Sequence, residues 1–406
     1  MFGFVVPLLS ATIYSREEDL PASNVVTEEQ EPKEVYSREG HVKTPEAVKG
    51  IYMSQCVVGT PTFRNSLVSF VEETDLNSIV IDLKDFSGTI GFQTSDGRFE
   101  DASMQSCGAR DMKEFVASLH EKGIYVIGRI TVFQDPHYSK AHPEQAVQSK
   151  ARPGQPWKDN KGLNFVDVSS KDFWDYIVTL SKEAYLLGFD ELNYDYIRYP
   201  SDGPMSDAIY QNPNKAEALE RFFTYLHKEM KPTGVVMSAD LFGMTASNTD
   251  DLGIGQVLER ALPYFDYIMP MVYPSHYPDG FNGYNDPNNY PYEIIKYAMD
   301  KAVARTIASD TSVRTFDGEP MMKTEIVPAT ADAATSTRQV ATGRYTKPVF
   351  DKQKIRPWLQ DFDYGKSYLP KDILAQTKGT YDAGLTSWIF WDPSNKYDSL
   401  RAVMSQ

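Results

Sequence analysis

Short apolar runs rich in β-branched and aromatic residues alternate with amphipathic stretches along the chain from Val48 onward. The runs predict buried strands at 48–54, 78–85, 124–133, 189–200, 234–243, 265–274, 355–365 and 385–392. Between them, apolar positions recur every three or four residues, which predicts helices at 63–76, 111–122, 171–187, 215–230, 252–262, 292–304 and 371–382. Strands that alternate with helices favour a parallel sheet, and eight such units predict an α/β fold, a (β/α)8 TIM barrel over 48–406.

Glycines at the junctions between helices and strands support this division of the chain. A left-handed glycine commonly ends a helix, and such residues stand at Gly123, Gly188, Gly234 and Gly384. An open doubly wound sheet is the main alternative, but it carries a glycine-rich first turn. The segment VGTP at 58–61 does not match that G-x-G-x-x-G pattern.

Residues 305–353 interrupt the alternation just before the seventh strand. They are rich in Ala, Thr, Ser and Asp and show little periodicity, so we expect a mobile, polar insertion. Because they join a helix to the next strand, they begin at the face opposite a barrel's usual active site. We therefore expect no catalytic residue in the insertion, and we favour this interpretation over a lid.

The N-terminal region differs in composition from the predicted barrel. Residues 1–14 are apolar like the core of an export signal, although no basic residues precede them and Pro7 interrupts the run. We expect a signal-like segment or the remnant of a membrane anchor, with a buried N-terminal arm as the alternative. Residues 15–47 form an acidic linker that we expect to be disordered. The predicted location is extracytoplasmic, either secreted or tethered to a membrane through the N-terminus.

Charge and residue counts exclude several classes of protein. The formal net charge of −15 argues against a nucleic-acid partner, because phosphate binding requires a basic face. The six histidines form neither HxH nor HExxH, and no CxxC occurs, so we predict no metal site and no cofactor. Cys56 and Cys107 could form a disulfide in an exported protein, but we favour two unpaired thiols. We expect a monomer.

Polar residues in the fourth strand indicate the position of the active site. Strand residues alternate faces, so Glu191, Asn193 and Asp195 share one face while Leu192, Tyr194 and Tyr196 share the other. The apolar and aromatic set suits the helices, which places the polar set in the barrel lumen. Asp195 then lies nearest the C-terminal mouth, where barrel active sites form.

Other strands contribute charged and aromatic candidates in the same way. The fifth strand ends near Asp240, and the seventh carries Asp361 and Asp363. Charged groups from several strands must neutralise one another or face a wet cleft. For Lys84, Arg129 and Glu191, a role at the site and a structural salt-bridge network therefore both remain open. The candidate substrate-binding residues are Lys84, Arg129, Arg198, Tyr273, Trp358, Trp388 and Trp391.

Carboxylates and aromatic rings without a metal or nucleophilic Ser/Cys signature point to glycoside chemistry. One carboxylic acid protonates the leaving oxygen, and a second carboxylate attacks the sugar or activates water. Aromatic faces suit sugar rings, which present C–H patches, although ordinary core packing is the alternative for any single ring.

Several segments resemble a glycoside hydrolase TIM-barrel family, formerly a domain of unknown function in bacterial and archaeal proteins. The resemblance runs in order from about residue 48 to 395 and is carried by VKGIYMS, IVIDLKDFSGTI, GRITVFQDP, GFDELNYDYIRYPSDG, SADLFG, DYIMPMVYPSHY and RPWLQDF. It implies a TIM barrel with an extracytoplasmic, carbohydrate-active role. The Asn-Glu pair typical of another large glycosidase clan is absent, since Tyr194 and Asp195 stand there.

These observations lead to one assignment of roles and one principal alternative. We predict Asp195 as nucleophile or base and Asp240 as general acid, with Glu191, Asp361 and Asp363 as further catalytic candidates. A nearby cation lowers a carboxylate pKa, so Arg198 is expected to keep Asp195 ionised. The predicted function is hydrolysis of glycosidic bonds in a polysaccharide or oligosaccharide. The alternative is a non-catalytic carbohydrate-binding barrel at the cell surface.

Overall fold

Eight parallel strands close into a barrel in the computed structural model, which describes residues 36–105, 107–328 and 335–404. The strands are β1 (Lys49–Met53), β2 (Ser78–Lys84), β3 (Tyr125–Thr131), β4 (Glu191–Asp195), β5 (Val236–Phe242), β6 (Tyr267–Met271), β7 (Trp358–Gln360) and β8 (Trp388–Trp391). Each strand pairs with its neighbours in chain order, and β8 closes the ring against β1. The predicted (β/α)8 barrel is confirmed.

Helices follow the strands and cover the outside of the barrel. They are α1 (Pro61–Glu72), α2 (Met112–Glu121), α3 (Lys171–Leu186), α4 (Lys215–Met230), α5 (Leu258–Ala261), α6 (Pro291–Ile307), α7 (Pro370–Asp382) and α8 (Asp398–Met404). Helix α5 is shorter than the predicted 252–262. Leu252, Gly253 and Gly255 all have positive φ, which a helix does not accept, so the chain turns there instead.

The buried residues form two layers that follow the alternation of the strands. A small cluster inside the lumen includes Val80, Ile127, Met269 and Ile389. A larger cluster lies between the strands and the helices. A lumen filled with side chains is typical of TIM barrels, which leaves the ends of the strands as the expected place for a ligand site.

Strand β4 shows the predicted alternation and the point where it ends. Leu192 and Tyr194 pack against the helices, and the Tyr194 hydroxyl donates to Ser181 of α3 over 3.1 Å. Tyr196, which the period of two assigns to the same outer face, instead lines the cavity at the barrel mouth. Its φ of 50° turns the chain just after Asp195, so the strand period no longer applies.

The 305–353 insertion contains regular structure that its composition did not indicate. Helix α6 continues to Ile307, and Pro320–Val327 then pairs with Ser336–Thr346 as an antiparallel hairpin. The two-residue strand Asp310–Thr311 pairs with the second arm of the hairpin. The described hairpin residues are exposed or half-buried on both faces, so no alternation of apolar and polar positions marks the strands.

The described part of the predicted linker contacts the closed, N-terminal end of the barrel. The Val42 amide donates to Asp190 over 2.7 Å, and the His41 ring stacks on Tyr185 with centroids 4.5 Å apart. The predicted signal-like segment 1–14 and linker residues 15–35 lie outside the described residues. No helix in the described ranges is long and apolar enough to cross a membrane.

Cys56 and Cys107 form a disulfide, so the expectation of two unpaired thiols is wrong. The bond links the short helix after β1 to the loop that precedes α2, and the Cα atoms are 4.6 Å apart. The backbones also meet at Gly59 and Gly108, where an added Cβ on Gly59 would lie 2.3 Å from the Gly108 oxygen. The sequence separation of 51 residues could not reveal this proximity.

Removing this disulfide is expected to lower the stability of the barrel. The Cys56→Ser/Cys107→Ser double variant should lose about 2–4 kcal/mol of unfolding free energy, because the bond restricts the unfolded chain. Urea unfolding without reductant measures the difference. Dithiothreitol should lower the unfolding free energy of the wild type to that of the double variant and leave that of the variant unchanged. Equal stability of the two proteins without reductant would contradict the prediction.

Candidate active site

A cavity of about 320 Å³ opens at the C-terminal ends of the strands, where barrel enzymes hold their active sites. Residues at or just beyond the ends of β1, β3, β4, β5, β6, β7 and β8 contribute to its wall. The lining residues are Tyr52, Arg129, Asp195, Tyr196, Arg198, Asp240, Phe242, Gly243, Met244, Met271, Tyr273, His276, Tyr277, Trp358 and Trp391.

The guanidinium group of Arg129 lies close to three carboxyl groups at the floor of the cavity. Arg129 of β3 donates to Asp82 of β2 over 2.5 Å and to Asp195 of β4, and its Nε lies 3.8 Å from Oδ2 of Asp240. The Tyr52 hydroxyl donates to the second oxygen of Asp82. A single cation thus faces three buried carboxyl groups and cannot balance all of them if all are ionised.

Asp240 is the carboxyl group that this imbalance affects most. Burial raises its pKa well above the ordinary range, and the charge of Asp195 raises it further, against smaller opposing effects of Arg129 and of two hydrogen bonds. Asn193 and Trp358 both donate to Oδ1, over 2.8 and 2.7 Å. Because Oδ1 accepts both hydrogen bonds, Oδ2 is the oxygen that can carry a proton.

Asp195 is held in a different environment from Asp240. Its Oδ2 accepts a hydrogen bond from Arg129, and its Oδ1 accepts one from the Tyr196 amide over 2.5 Å. Both carboxyl oxygens of Asp195 therefore accept hydrogen bonds, and one of the two donors is a cation. The cavity therefore contains two carboxyl groups in contrasting surroundings, since Asp195 is ion-paired with Arg129 whereas the pKa of Asp240 is raised. Such a contrast is typical of acid–base sites.

Arg198 lies in the cavity but is not the main ionic partner of Asp195. Its guanidinium carbon is 4.7 Å from the centre of the Tyr196 ring and 4.8 Å from that of Phe242, and Nη1 donates to the Tyr199 carbonyl over 3.0 Å. Burial lowers the pKa of Arg198. Among the described residues, no carboxylate lies within 4.0 Å of it, so Arg129 occupies the place that the sequence analysis gave to Arg198.

Three of the predicted aromatic residues reach the cavity. Trp358 donates its indole N–H to Asp240, and Tyr273 and Trp391 form a pair with ring centroids 5.4 Å apart. The fourth, Trp388, does not reach it. Trp388 points outward and donates to the Tyr381 hydroxyl of α7 over 2.9 Å.

Glu191 and Lys84 are buried in ion pairs away from the cavity. Glu191 pairs with Arg356 over 2.9 Å and accepts a hydrogen bond from Tyr125, at the end of the lumen opposite the mouth. Lys84 pairs with Asp135 over 2.9 Å and donates to the Thr131 carbonyl. The structural interpretation that was left open for these residues fits this geometry, and both are omitted from the candidate site.

Asp361 and Asp363 also lie outside the cavity. Trp358 and Gln360 take the inward positions of β7, so Asp361 turns toward α8 and accepts a hydrogen bond from the Leu400 amide over 3.1 Å. Burial raises the pKa of Asp361 to about 7. Asp363 accepts hydrogen bonds from Ser367 and from the Tyr368 amide in the following loop.

Several cavity residues were not among the sequence-based candidates. These residues are Tyr52, Tyr196, Phe242, Met244, Met271, His276 and Tyr277. Four of them, Tyr52, Tyr196, Phe242 and Tyr277, carried a signal as aromatic residues near strand ends. Gly243 allows a close approach, because a Cβ there would lie 2.5 Å from the Met271 oxygen. In the described ranges, no group of three or more His, Cys, Asp or Glu side chains is arranged to hold a metal ion.

The closed barrel has a cavity lined by carboxyl and aromatic side chains at the C-terminal ends of its strands, as TIM-barrel enzymes do. Residues 50–318 and 321–397 match the family described as "Putative glycosyl hydrolase domain", which covers most of the chain. The chain belongs to this family, as the resemblance in its strand segments implied. This membership makes the protein a glycosidase with a carbohydrate substrate. A comparison with curated protein sequences finds no match.

Solved structures of glycoside hydrolases share the fold. The PgaB (BpsB) glycoside hydrolase domain from Bordetella bronchiseptica is 14% identical with a TM-score of 0.54, over 88% of this chain and 99% of that one. Alpha-L-fucosidase isoenzyme 2 from Paenibacillus thiaminolyticus is 10% identical with a TM-score of 0.53, over 88% of this chain and 49% of that one. A hypothetical protein from Ruminiclostridium thermocellum ATCC 27405 is 30% identical with a TM-score of 0.43, over 50% and 98%.

Proposed function

We propose that this protein hydrolyses O-glycosidic bonds within a polysaccharide, with Asp240 as general acid and Asp195 as nucleophile or base. The observation that carries the proposal is the contrast between two carboxyl groups in one cavity. Asp195 is paired with Arg129, whereas burial and the neighbouring charge raise the pKa of Asp240. Glycosidases require such a pair, one group to donate a proton and one to supply negative charge.

The chemistry follows from these two roles. Asp240 transfers its proton to the glycosidic oxygen as the bond to the sugar breaks, so the leaving group departs as a neutral hydroxyl. Asp195 either bonds to the sugar carbon, to be displaced later by water, or removes a proton from a water molecule that attacks directly. Arg129 holds Asp195 in place and stabilises its charge.

The aromatic residues fit the proposed substrate. Tyr273, Trp358 and Trp391 surround the carboxyl pair with flat apolar surfaces that can face the C–H patches of a sugar ring. A polar floor with aromatic walls is the usual composition of a small-molecule site. The tight hydrogen bond between Trp358 and Asp240 also fixes the acid relative to these walls.

We propose further that the protein works outside the reducing cytoplasm. The Cys56–Cys107 disulfide supports this, because such bonds persist mainly in oxidising compartments. Titration of free thiols in the protein recovered from its native cell tests the point. Fully blocked cysteines are expected, and two titratable thiols would contradict the proposal.

Release of reducing ends from a panel of soluble polysaccharides tests the proposed function. The wild type is expected to release them from at least one member of the panel. Retention of a polysaccharide by the protein without any release would favour the carbohydrate-binding barrel instead. Neither release nor retention across neutral, acidic and amino-sugar polymers would contradict both functions.

A further inference from the structure

A continuous series of aromatic rings leads from the cavity to the protein surface. Phe362 packs edge-on against Trp391 and Tyr273, with centroid distances of 5.0 and 5.6 Å. His276 follows at 5.9 Å from Phe362, and Tyr364 follows at 5.4 Å from His276. Tyr364 is 62% exposed, so the series ends in solvent.

The loop that carries Tyr364 is held in place by four hydrogen bonds, of which one is exposed, two are half-buried and one is buried. Asp363 accepts hydrogen bonds from Ser367 and from the Tyr368 amide, which closes the loop on itself. Asn288 donates to the Tyr364 carbonyl over 2.7 Å and accepts from the Tyr368 hydroxyl over 2.7 Å. These hydrogen bonds hold the backbone that carries Tyr364, while most of its ring faces solvent.

His276 presents a hydrogen-bond acceptor beside this ring. The Ser275 hydroxyl donates to Oε1 of Gln360 over 2.9 Å, so it accepts from Nδ1–H of His276, also over 2.9 Å. The His276 side chain is exposed at the surface, and partial desolvation by its neighbours lowers its pKa, which favours the neutral ring. Nε2 is then an acceptor, and it has no partner among the described residues.

We infer that Tyr364 and His276 form a sugar-binding subsite outside the catalytic cavity, which receives further units of the same glycan chain. This inference rests on the proposed function and extends it. A pyranose lies with its C–H face on the Tyr364 ring, and one of its hydroxyls donates to Nε2 of His276. The aromatic series is continuous with the cavity wall at Tyr273 and Trp391, so one chain can occupy both places.

The consequence is a preference for long substrates. A glycan that fills only the cavity never reaches Tyr364, whereas a polymer gains the outer contact and binds more tightly.

Binding measured in the absence of turnover tests this inference. The Asp195→Asn variant serves as the background, and isothermal titration is carried out with cello-, xylo-, chito- and galacto-oligosaccharides of two to six units. For an oligosaccharide that binds, affinity should rise with length. Addition of Tyr364→Ala should weaken binding of the longest oligomer about two- to tenfold and leave that of the shortest unchanged, since one aromatic contact is lost.

Two further variants make the result specific to the ring. Tyr364→Phe keeps the aromatic face and should retain most of the affinity for long oligomers. Phe316→Ala removes an exposed ring, 43% accessible, that lies against Arg221 of α4 and should change nothing. Equal losses for short and long oligomers, or no loss with Tyr364→Ala, would overturn the inference. So would the absence of binding by every oligosaccharide tested.

Failure of the proposed subsite can be distinguished from failure of the proposed function. If the wild type releases reducing ends but Tyr364→Ala has no length-dependent effect, the subsite is wrong and the hydrolase stands. If oligomers bind with a length dependence that Tyr364→Ala removes, yet no polysaccharide is cleaved, the subsite stands and the proposed hydrolysis is wrong.

Discussion

Asp240→Asn is expected to lower kcat/KM for polysaccharide cleavage by about 100- to 10,000-fold, which is the usual contribution of a positioned general acid. Asparagine can still accept the hydrogen bonds from Asn193 and Trp358, so the cavity should keep its shape. Asp361→Asn makes the same chemical change outside the cavity and should leave the rate unchanged. Initial rates of reducing-end release measure both variants.

Two kinetic signatures distinguish loss of an acid from loss of another function. Aryl glycosides whose phenol leaves without protonation should be cleaved nearly normally by Asp240→Asn. Because the pKa of Asp240 is raised, the wild type holds the proton at low pH and loses it as pH rises through that pKa. The wild-type rate should therefore fall on the alkaline side, and this fall should be absent in the variant. A variant equally impaired on activated aryl glycosides would contradict the acid role.

Arg356→Ala is expected to destabilise the barrel by about 3–5 kcal/mol, because it leaves the charge of Glu191 buried without its partner. Neither side chain of the pair is accessible to solvent. Denaturant unfolding measures the loss. A matched control is Lys122→Ala, which breaks an exposed ion pair with Glu72 and should cost less than about 1 kcal/mol.

A variant of Glu191, the partner of Arg356, distinguishes a structural from a catalytic role for this carboxylate. Glu191→Gln should lower stability, while the rate per folded molecule on the polysaccharide should stay within about twofold of the wild type. A large loss of rate at unchanged stability would place Glu191 in the chemistry and contradict its omission from the site.

The barrel could be predicted because its signal is periodic and repeated along the chain. Strand β4 illustrates this, since the alternation of polar and apolar residues from Glu191 to Asp195 assigns the lumen face correctly. The same period fails at Tyr196, where a positive φ ends the strand. The two strands of the hairpin, Pro320–Val327 and Ser336–Thr346, were not predicted because neither of their faces is buried.

Part of the candidate site was also predictable, because strand alternation shows which side chains point inward. Strand alternation places Asp195 and Asp240 inward, and both lie at the end of the strands that opens to solvent. It also places Glu191 inward, but alternation alone does not show that Arg356 covers it at the opposite end. The seventh strand is only three residues long, so its register could not separate Asp361 from the inward positions. The disulfide depends on contacts between distant segments that no local pattern reveals.

The most direct test of the account compares reducing-end release from a polysaccharide substrate by the wild type and by Asp195→Asn. The substitution nearly keeps the shape of the side chain and removes its charge, and glycan binding should persist. We expect a loss of at least about 1,000-fold in kcat, because the group proposed as nucleophile or base is gone. Release that continues at the wild-type rate would contradict the central role of Asp195 and with it the proposed mechanism.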